Sequence, residues 1–201
     1  GGALLFHSIW DDPDAWRRAI AARFPDLELR VWPAIGDRGD ITYAFVENLP
    51  PGELAKLTSL KAILSPGAGV DHLFRDPSLP RHVPMVKVVQ DRMTHGIVQY
   101  VVLHVLRHHR HMPAYQTQQR ERLWQELKQP GAWDRRVGVM GLGTLGRASV
   151  KALADLGFRV AGWSRTRKRI KGVETFAGAG EIAAFLGRSE ILVCLLALTP
   201  E

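Results

Sequence analysis

The residues whose types and spacing could do chemistry are, first, three glycines, Gly141, Gly143 and Gly146, set in Arg136-Val-Gly-Val-Met-Gly-Leu-Gly-Thr-Leu-Gly-Arg147. An apolar run leads into them and helically spaced apolar residues follow, so the stretch is expected to fold as strand, turn and helix. In such a unit Gly141 permits the tight turn, Gly143 lets backbone approach a pyrophosphate, and Gly146 lets helix and strand pack closely. Leu142, Thr144 and Leu145 complete the candidate seat, because the first turn of a helix offers unpaired N–H groups to an anion. A second apolar run, Phe158–Trp163, follows at the spacing of a β-α-β unit. That context favours a dinucleotide site over a glycine-rich turn that binds nothing.

The end of the second run bears on which dinucleotide. Eighteen positions after Gly146, where an Asp or Glu would hold the ribose 2′-hydroxyl of NAD, stands Ser164, followed by Arg165, Thr166, Arg167 and Lys168. A carboxylate would repel a 2′-phosphate, whereas a guanidinium attracts it and can donate two parallel hydrogen bonds. The expectation is NADP(H), with NAD(H) the weaker fit, Arg165 as the main contact and Ser164, Thr166, Arg167 and Lys168 as helpers. A solvated basic loop is the alternative. A second turn, Pro66-Gly-Ala-Gly69, follows the apolar run Leu60–Leu64. Its successive amides can form a nest for a carboxylate, or it is an ordinary strand-to-helix turn in which Asp71 caps the next helix.

Other reactive side chains point to less. His104 and His108 lie one helical turn apart beside His109 and His111, but no cysteine or carboxylate completes a zinc site, so a solvated or interface-facing cluster is expected and no metal. Cys194, the single cysteine, sits in the run Ile191–Leu198 and reads as a buried structural thiol.

The elements that must position these residues follow from the alternation of apolar and amphipathic runs. Of 201 residues, 46% are hydrophobic and 23% charged, which excludes disordered and fibrous classes. Ala3–Ile9, Leu27–Trp32, Thr42–Val46, Leu60–Leu64 and Pro84–Val89 read as strands. A helix capped by Asp11 or Asp12 turns Trp16, Ala19, Ile20 and Phe24 inward, and Pro51–Leu57 is a short helix. From Asp91 the texture changes to a long helix with Val98, Val101, Val102, Val105 and Leu106 on one face. Pro113 breaks or kinks it, and Tyr115–Leu127 continues as a second helix carrying Trp124. After the glycine turn come a helix to Leu156, the strand Phe158–Trp163, a weak strand near Val173–Phe176, a helix Glu181–Leu186 and the strand Ile191–Leu198. The fold class is therefore α/β: two Rossmann-like units with parallel sheets, the second incomplete, with a flavodoxin-like substrate domain over 1–90, and linking helices plus a dinucleotide domain over 91–201. The 94–127 helices expose apolar surface that a homodimer would cover. The net charge of +7 is spread over several segments, so no nucleic-acid partner is expected. With no membrane-length apolar run or signal segment, a cytoplasmic location with no membrane partner is expected.

Gly67-Ala-Gly-Val-Asp71, the Gly141–Gly146 turn and Leu196-Ala-Leu-Thr-Pro-Glu201 occur together, in this order and spacing, in one family. The chain resembles the D-isomer-specific 2-hydroxyacid dehydrogenases. Met93-Thr94, the long helix after them and Trp124 look like its glyoxylate/hydroxypyruvate reductase branch. The resemblance implies that backbone N–H groups of Ala68, Gly69 and Val70 hold a substrate carboxylate. It also implies that Met93 and Leu196, Ala197, Leu198, Thr199 and Pro200 line the cofactor site, and that a small 2-oxo acid is the substrate. In that family the histidine acid, its glutamate and an arginine lie downstream of the Leu-Thr-Pro-Glu region. No catalytic residue is therefore expected in these 201 residues, and the chain is expected to be a fragment. Glu47-Asn48 stands where the branch often presents an aromatic residue to substrate. A non-catalytic dinucleotide-binding protein, as the family's corepressor relatives illustrate, is the alternative.

Overall fold

A computed structural model of the chain describes residues 2–67, 69–87 and 91–197. Contacts divide the chain into two units, Gly1–Val89 with Ala197–Glu201, and Gln90–Leu196.

In the first unit the apolar runs become five strands: β1 (Ala3–His7), β2 (Glu28–Val31), β3 (Ile41–Val46), β4 (Ala62–Ser65) and β5 (Met85–Lys87). They are parallel in the order β2-β1-β3-β4-β5, that of a flavodoxin-like doubly wound sheet. Helix α1 (Pro13–Arg23) starts where the Asp12 carboxylate accepts the Asp14 N–H at 3.0 Å and where Pro13 has no N–H to leave unpaired. Its Trp16 and Ile20 pack on Leu4, Phe6, Leu29 and Phe45. Ala19 and Phe24, expected on the same face, are exposed; Phe24 is the C-cap residue, and its non-helical backbone takes it off the stripe. The opposite face of the sheet is sealed by Leu54, Leu57, Leu73 of the short α2 (Asp71–Phe74), Leu79 and Val83 over Leu5, Ile41, Ala44, Val46 and Ile63. The expected helix over Pro51–Leu57 shrinks to a 3₁₀ turn, Leu54–Lys56, after Gly52 at φ +85°. The buried Asp76 carboxylate ties down these connections, accepting the Ser78 hydroxyl at 2.6 Å and the Gly52 N–H at 2.8 Å. These bonds, the hydroxyl first, hold its carboxyl below the ordinary range.

The second unit begins with α3 (Asp91–His109) and α4 (Met112–Arg120). The second helix is earlier and shorter than the expected Tyr115–Leu127. Pro113 stands in its first turn, where proline starts a helix, and Arg122 at φ +55° lies just beyond its end. Trp124, fully exposed, lies outside it. There follow β6 (Arg136–Met140), α5 (Thr144–Asp155), β7 (Arg159–Ser164), β8 (Glu174–Ala177), α6 (Gly178–Gly187) and β9 (Ile191–Cys194). The parallel order β8-β7-β6-β9 is the 3-2-1-4 arrangement of a Rossmann sheet.

On one face of this sheet Val101 and Val105 of α3 and Val150 and Leu153 of α5 bury Val137, Val139 and Val160. On the other, α6 covers β7 and β8 through Phe185, which meets Phe176 at 5.8 Å. Cys194, expected to be buried, is exposed. It shares with Leu192 the side of the edge strand β9 that is in register with Gly138 and Met140, and α6 lies instead over β7 and β8. Among the described residues no helix is long and apolar enough to cross a membrane.

The histidine cluster is not uniformly solvated. His109 is buried, edge-on to Phe158 at 5.0 Å, and its Nδ1 has no hydrogen-bond partner among the described residues. Burial first, then the positive charges of Arg135, Arg110 and His111, push its pKa below that of a free imidazole. The folded state thus holds His109 neutral where the unfolded chain protonates it. Its contribution to stability is complete above about pH 6.5 and is lost as pH falls from there through the lower folded value. His109→Phe keeps the aromatic contact and removes the titration. Its Tm should fall less steeply than that of the parent between pH 7 and pH 5, and parallel slopes in thermal unfolding would contradict this.

A candidate dinucleotide seat and a carboxylate turn

The glycine turn is shaped by contacts that leave room for little else. Gly141 has φ +94°, a conformation L side chains rarely adopt, and a Cβ on it would come within 2.8 Å of the Leu195 carbonyl oxygen. Its N–H donates to the Trp163 carbonyl at 2.8 Å, which joins the turn to the end of β7. A Cβ on Gly146 would lie 1.7 Å from the Gly141 oxygen, so the first turn of α5 rests directly on the peptide that makes the turn. Gly143 is the opposite case: it is the N-cap of α5, exposed, with nothing within 4 Å of where its Cβ would be. No side chain caps this helix, so the N–H groups of its first turn face an open space in which an anion fits.

That space continues into a cleft lined by Leu142, Gly143, Thr144, Arg147, Ser164, Arg165, Thr166 and Lys168. It therefore brings together seven of the candidate cofactor residues with Arg147; three of its lining residues are cationic and none is a carboxylate. Leu145 is half-buried in α5, and Leu196 approaches Gly141 closely enough that an added Cβ there would meet it at 3.3 Å. Met93, half-buried in the first turn of α3, is not among the residues lining the cleft. Ala197 is exposed and falls in the other unit. Leu198, Thr199 and Pro200 lie outside the described residues.

Within the basic loop the cations differ in availability. Arg167 donates to the Thr175 carbonyl at 2.7 Å and is paired with Glu181, so it serves the loop and not the cleft. Glu181 in turn accepts the Ala177 N–H at 2.7 Å; that bond first, and Arg167 second, hold its carboxyl below the ordinary range. The buried Ser164 hydroxyl donates to the Thr166 carbonyl at 2.8 Å, which makes it a brace of the turn. Arg165 and Lys168 have no ion-pair partner among the described residues. Arg147 was not among the expected contacts, although its place directly after Gly146 was the available signal.

In the first unit, β4 runs into the other candidate turn. The Ser65 hydroxyl donates to the Gly69 carbonyl at 3.1 Å and closes a loop whose Gly69 is exposed. Val70 occupies the N-cap position of a single helical turn, α2 (Asp71–Phe74), and its carbonyl accepts the Leu73 N–H at 3.0 Å. The cap is thus Val70, one residue before the expected Asp71. Ala68 lies outside the described residues. Among the described residues no group of three or more His, Cys, Asp or Glu is placed to hold a metal ion.

Residues 102–201 match the model of the D-isomer specific 2-hydroxyacid dehydrogenase NAD binding domain. A 2-hydroxyacid dehydrogenase of this type from Xanthobacter autotrophicus Py2, solved with NADPH and MES, superposes with a TM-score of 0.91 at 40% identity, over 99% of this chain and 64% of that one. The chain belongs to the D-isomer specific 2-hydroxyacid dehydrogenase family. Within this dehydrogenase family it is similar to an NADPH-dependent glyoxylate/hydroxypyruvate reductase from Sinorhizobium meliloti, solved with NADP and sulfate: TM-score 0.86, 38% identity, 100% of this chain and 64% of that one. It is also 37% identical, over 98% of its length, to glyoxylate/hydroxypyruvate reductase A of Yersinia enterocolitica, of which it spans 64%.

The two glycines should respond oppositely to a methyl group. Gly146→Ala must push α5 away from the Gly141 carbonyl, a strain of about 2 kcal/mol or more. That corresponds to a Tm fall of about 4–8 °C for a chain of this size. Gly143→Ala meets open space at an ordinary φ of −77° and should leave Tm unchanged in the same thermal unfolding experiment.

Proposed function

We propose that the protein reduces a small 2-oxo acid, glyoxylate, hydroxypyruvate or a similar compound, to the 2-hydroxy acid with NADPH. The first unit serves as the substrate domain and the second as the cofactor domain. The observation that carries this reading is the cleft beside Gly143, in which Arg165 and Lys168 stand without a counter-ion where a 2′-hydroxyl reader would need a carboxylate. The reductases it resembles are described with NADPH or NADP.

When bound, NADPH would supply the hydride that reduces the 2-oxo carbon. The chain's own residues bind and orient. The open backbone at Gly143 and the N–H groups of the first turn of α5 take the pyrophosphate. Arg165 and Lys168 take the 2′-phosphate, and Leu196 covers the turn. Backbone N–H groups of Ala68, Gly69 and Val70 take the substrate carboxylate. No residue of this chain is assigned the role of proton donor. The chain spans 64% of the relatives it matches, so binding is the more direct readout for it, and turnover is the readout for the whole protein.

A homodimer through the 94–127 segment suits the exposed apolar side chains Tyr100 and Leu103 of α3, Met112 of α4, and Leu123 and Trp124 beyond it. A cytoplasmic location suits an exposed lone thiol, which a reducing compartment keeps free.

Titration of the chain with NADPH and NADH, followed by tryptophan fluorescence, should show NADPH bound about tenfold or more tighter. Arg165→Ala should remove most of that preference while changing NADH binding little. Equal affinity for the two in the parent, or no selective loss in Arg165→Ala, would overturn the cofactor assignment. Oxidation of NADPH on addition of glyoxylate or hydroxypyruvate tests the reaction in the whole protein. For the dimer, Leu103→Lys should shift sedimentation towards the monomer without lowering NADPH affinity.

A further inference from the structure

The cleft beside the glycine turn contains a cation from outside the basic loop. Arg147, in the first turns of α5, donates its Nε–H to the Leu142 carbonyl at 3.2 Å, and its two terminal nitrogens have no hydrogen-bond partner among the described residues. It is exposed and lines the cleft with Arg165 and Lys168. The next basic residue on the same helix face, Lys151, is instead paired with Asp155 at 2.6 Å. Arg167, in the loop opposite, is paired with Glu181. Lys151 on the helix and Arg167 in the loop thus have carboxylate partners, whereas Arg147, Arg165 and Lys168, the cations that line the cleft, have none among the described residues.

From this geometry we infer that Arg147 is a third contact for the 2′-phosphate of NADPH, reaching it from the helix while Arg165 and Lys168 reach it from the loop. The inference rests on the NADPH reading above. The Nε bond fixes the plane of the guanidinium on the turn, so its terminal N–H groups are held ready and little side-chain freedom is lost on binding. Cations on two separate elements also explain why Ser164 can be spent as a brace. Its hydroxyl donates inward to Thr166, and the donors that would bind the phosphate are guanidinium and ammonium groups.

The test compares 2′,5′-ADP with 5′-ADP, two probes that differ by the 2′-phosphate, in calorimetric titrations of the parent chain, Arg147→Gln, Arg147→Lys and Arg165→Ala. Arg147→Gln should weaken 2′,5′-ADP by about tenfold and leave 5′-ADP unchanged, and Arg147→Lys should retain part of the difference. If both probes weaken in parallel in Arg147→Gln, the residue only supports the turn through Leu142 and the inference fails. It also fails if Arg147→Gln binds as the parent does while Arg165→Ala loses 2′,5′-ADP selectively; the NADPH reading then stands without it. A parent that binds 5′-ADP as tightly as 2′,5′-ADP overturns both.

Discussion

The contact on which the second unit depends is the one between Gly146 and the Gly141 carbonyl, where an added methyl carbon would sit 1.7 Å from oxygen. Because no side chain separates helix from turn, α5 begins immediately at the end of β6, and its rotation about its own axis is set by that seat. Gly146, Ser149, Val150 and Leu153 then face the sheet and α3, and Arg147, Lys151, Ala154 and Asp155 face out. The packing face is shared with Val101 and Val105 of α3, so the long helix is held by the same seat. One backbone approach thereby determines both what the core contains and which cations border the cleft.

The loop after β7 solves a different problem, which is to keep several positive charges close together in the absence of ligand. It does so by giving some of them permanent partners. Arg167 is occupied by Glu181, which itself accepts the N–H of Ala177, the N-cap residue of α6, and Ser164 closes the turn on Thr166. Of the other cations in the loop, Arg165 and Lys168 line the cleft, and Arg169 and Lys171 lie outside its lining. Exposed pairs of this kind add little to stability, so their effect is better understood as positional: they select which guanidinium is free.

Most of the architecture was legible in the alternation of apolar runs, because a parallel sheet buries its strands and the crossovers between them must be amphipathic. The strand sequence and the turn at Gly141–Gly146 could be placed from residue types alone. What failed depended on neighbours that a one-dimensional pattern does not show. Cys194 lies in an apolar run, but on an edge strand and on the side that α6 does not reach. His109 belongs to a row of histidines, yet it is the one turned against Phe158. Pro113, expected to break or kink a helix, stands instead in the first turn of one, because the preceding helix ends at His109 and His111 at φ +54° precedes the new one. In the cleft, charge is visible in the sequence and pairing is not: Arg167 is paired with Glu181 and does not line the cleft, whereas Arg147 lines it.

The separation of faces on α5 has a consequence for how such a site can change. Residues that hold the helix in place and residues that face out alternate along the same twelve positions, and of the outward ones Thr144 and Arg147 line the cleft. Substitutions at those two positions therefore act on the cleft with little cost in packing, whereas those on the inner face act on the fold and reach the cleft by moving the helix. Arg147 is in addition tied to the glycine turn, since its Nε–H donates to the Leu142 carbonyl. A cation fixed in this way resists reorientation, and on the proposed reading selectivity for a phosphate is a property of the turn as well as of the loop facing it.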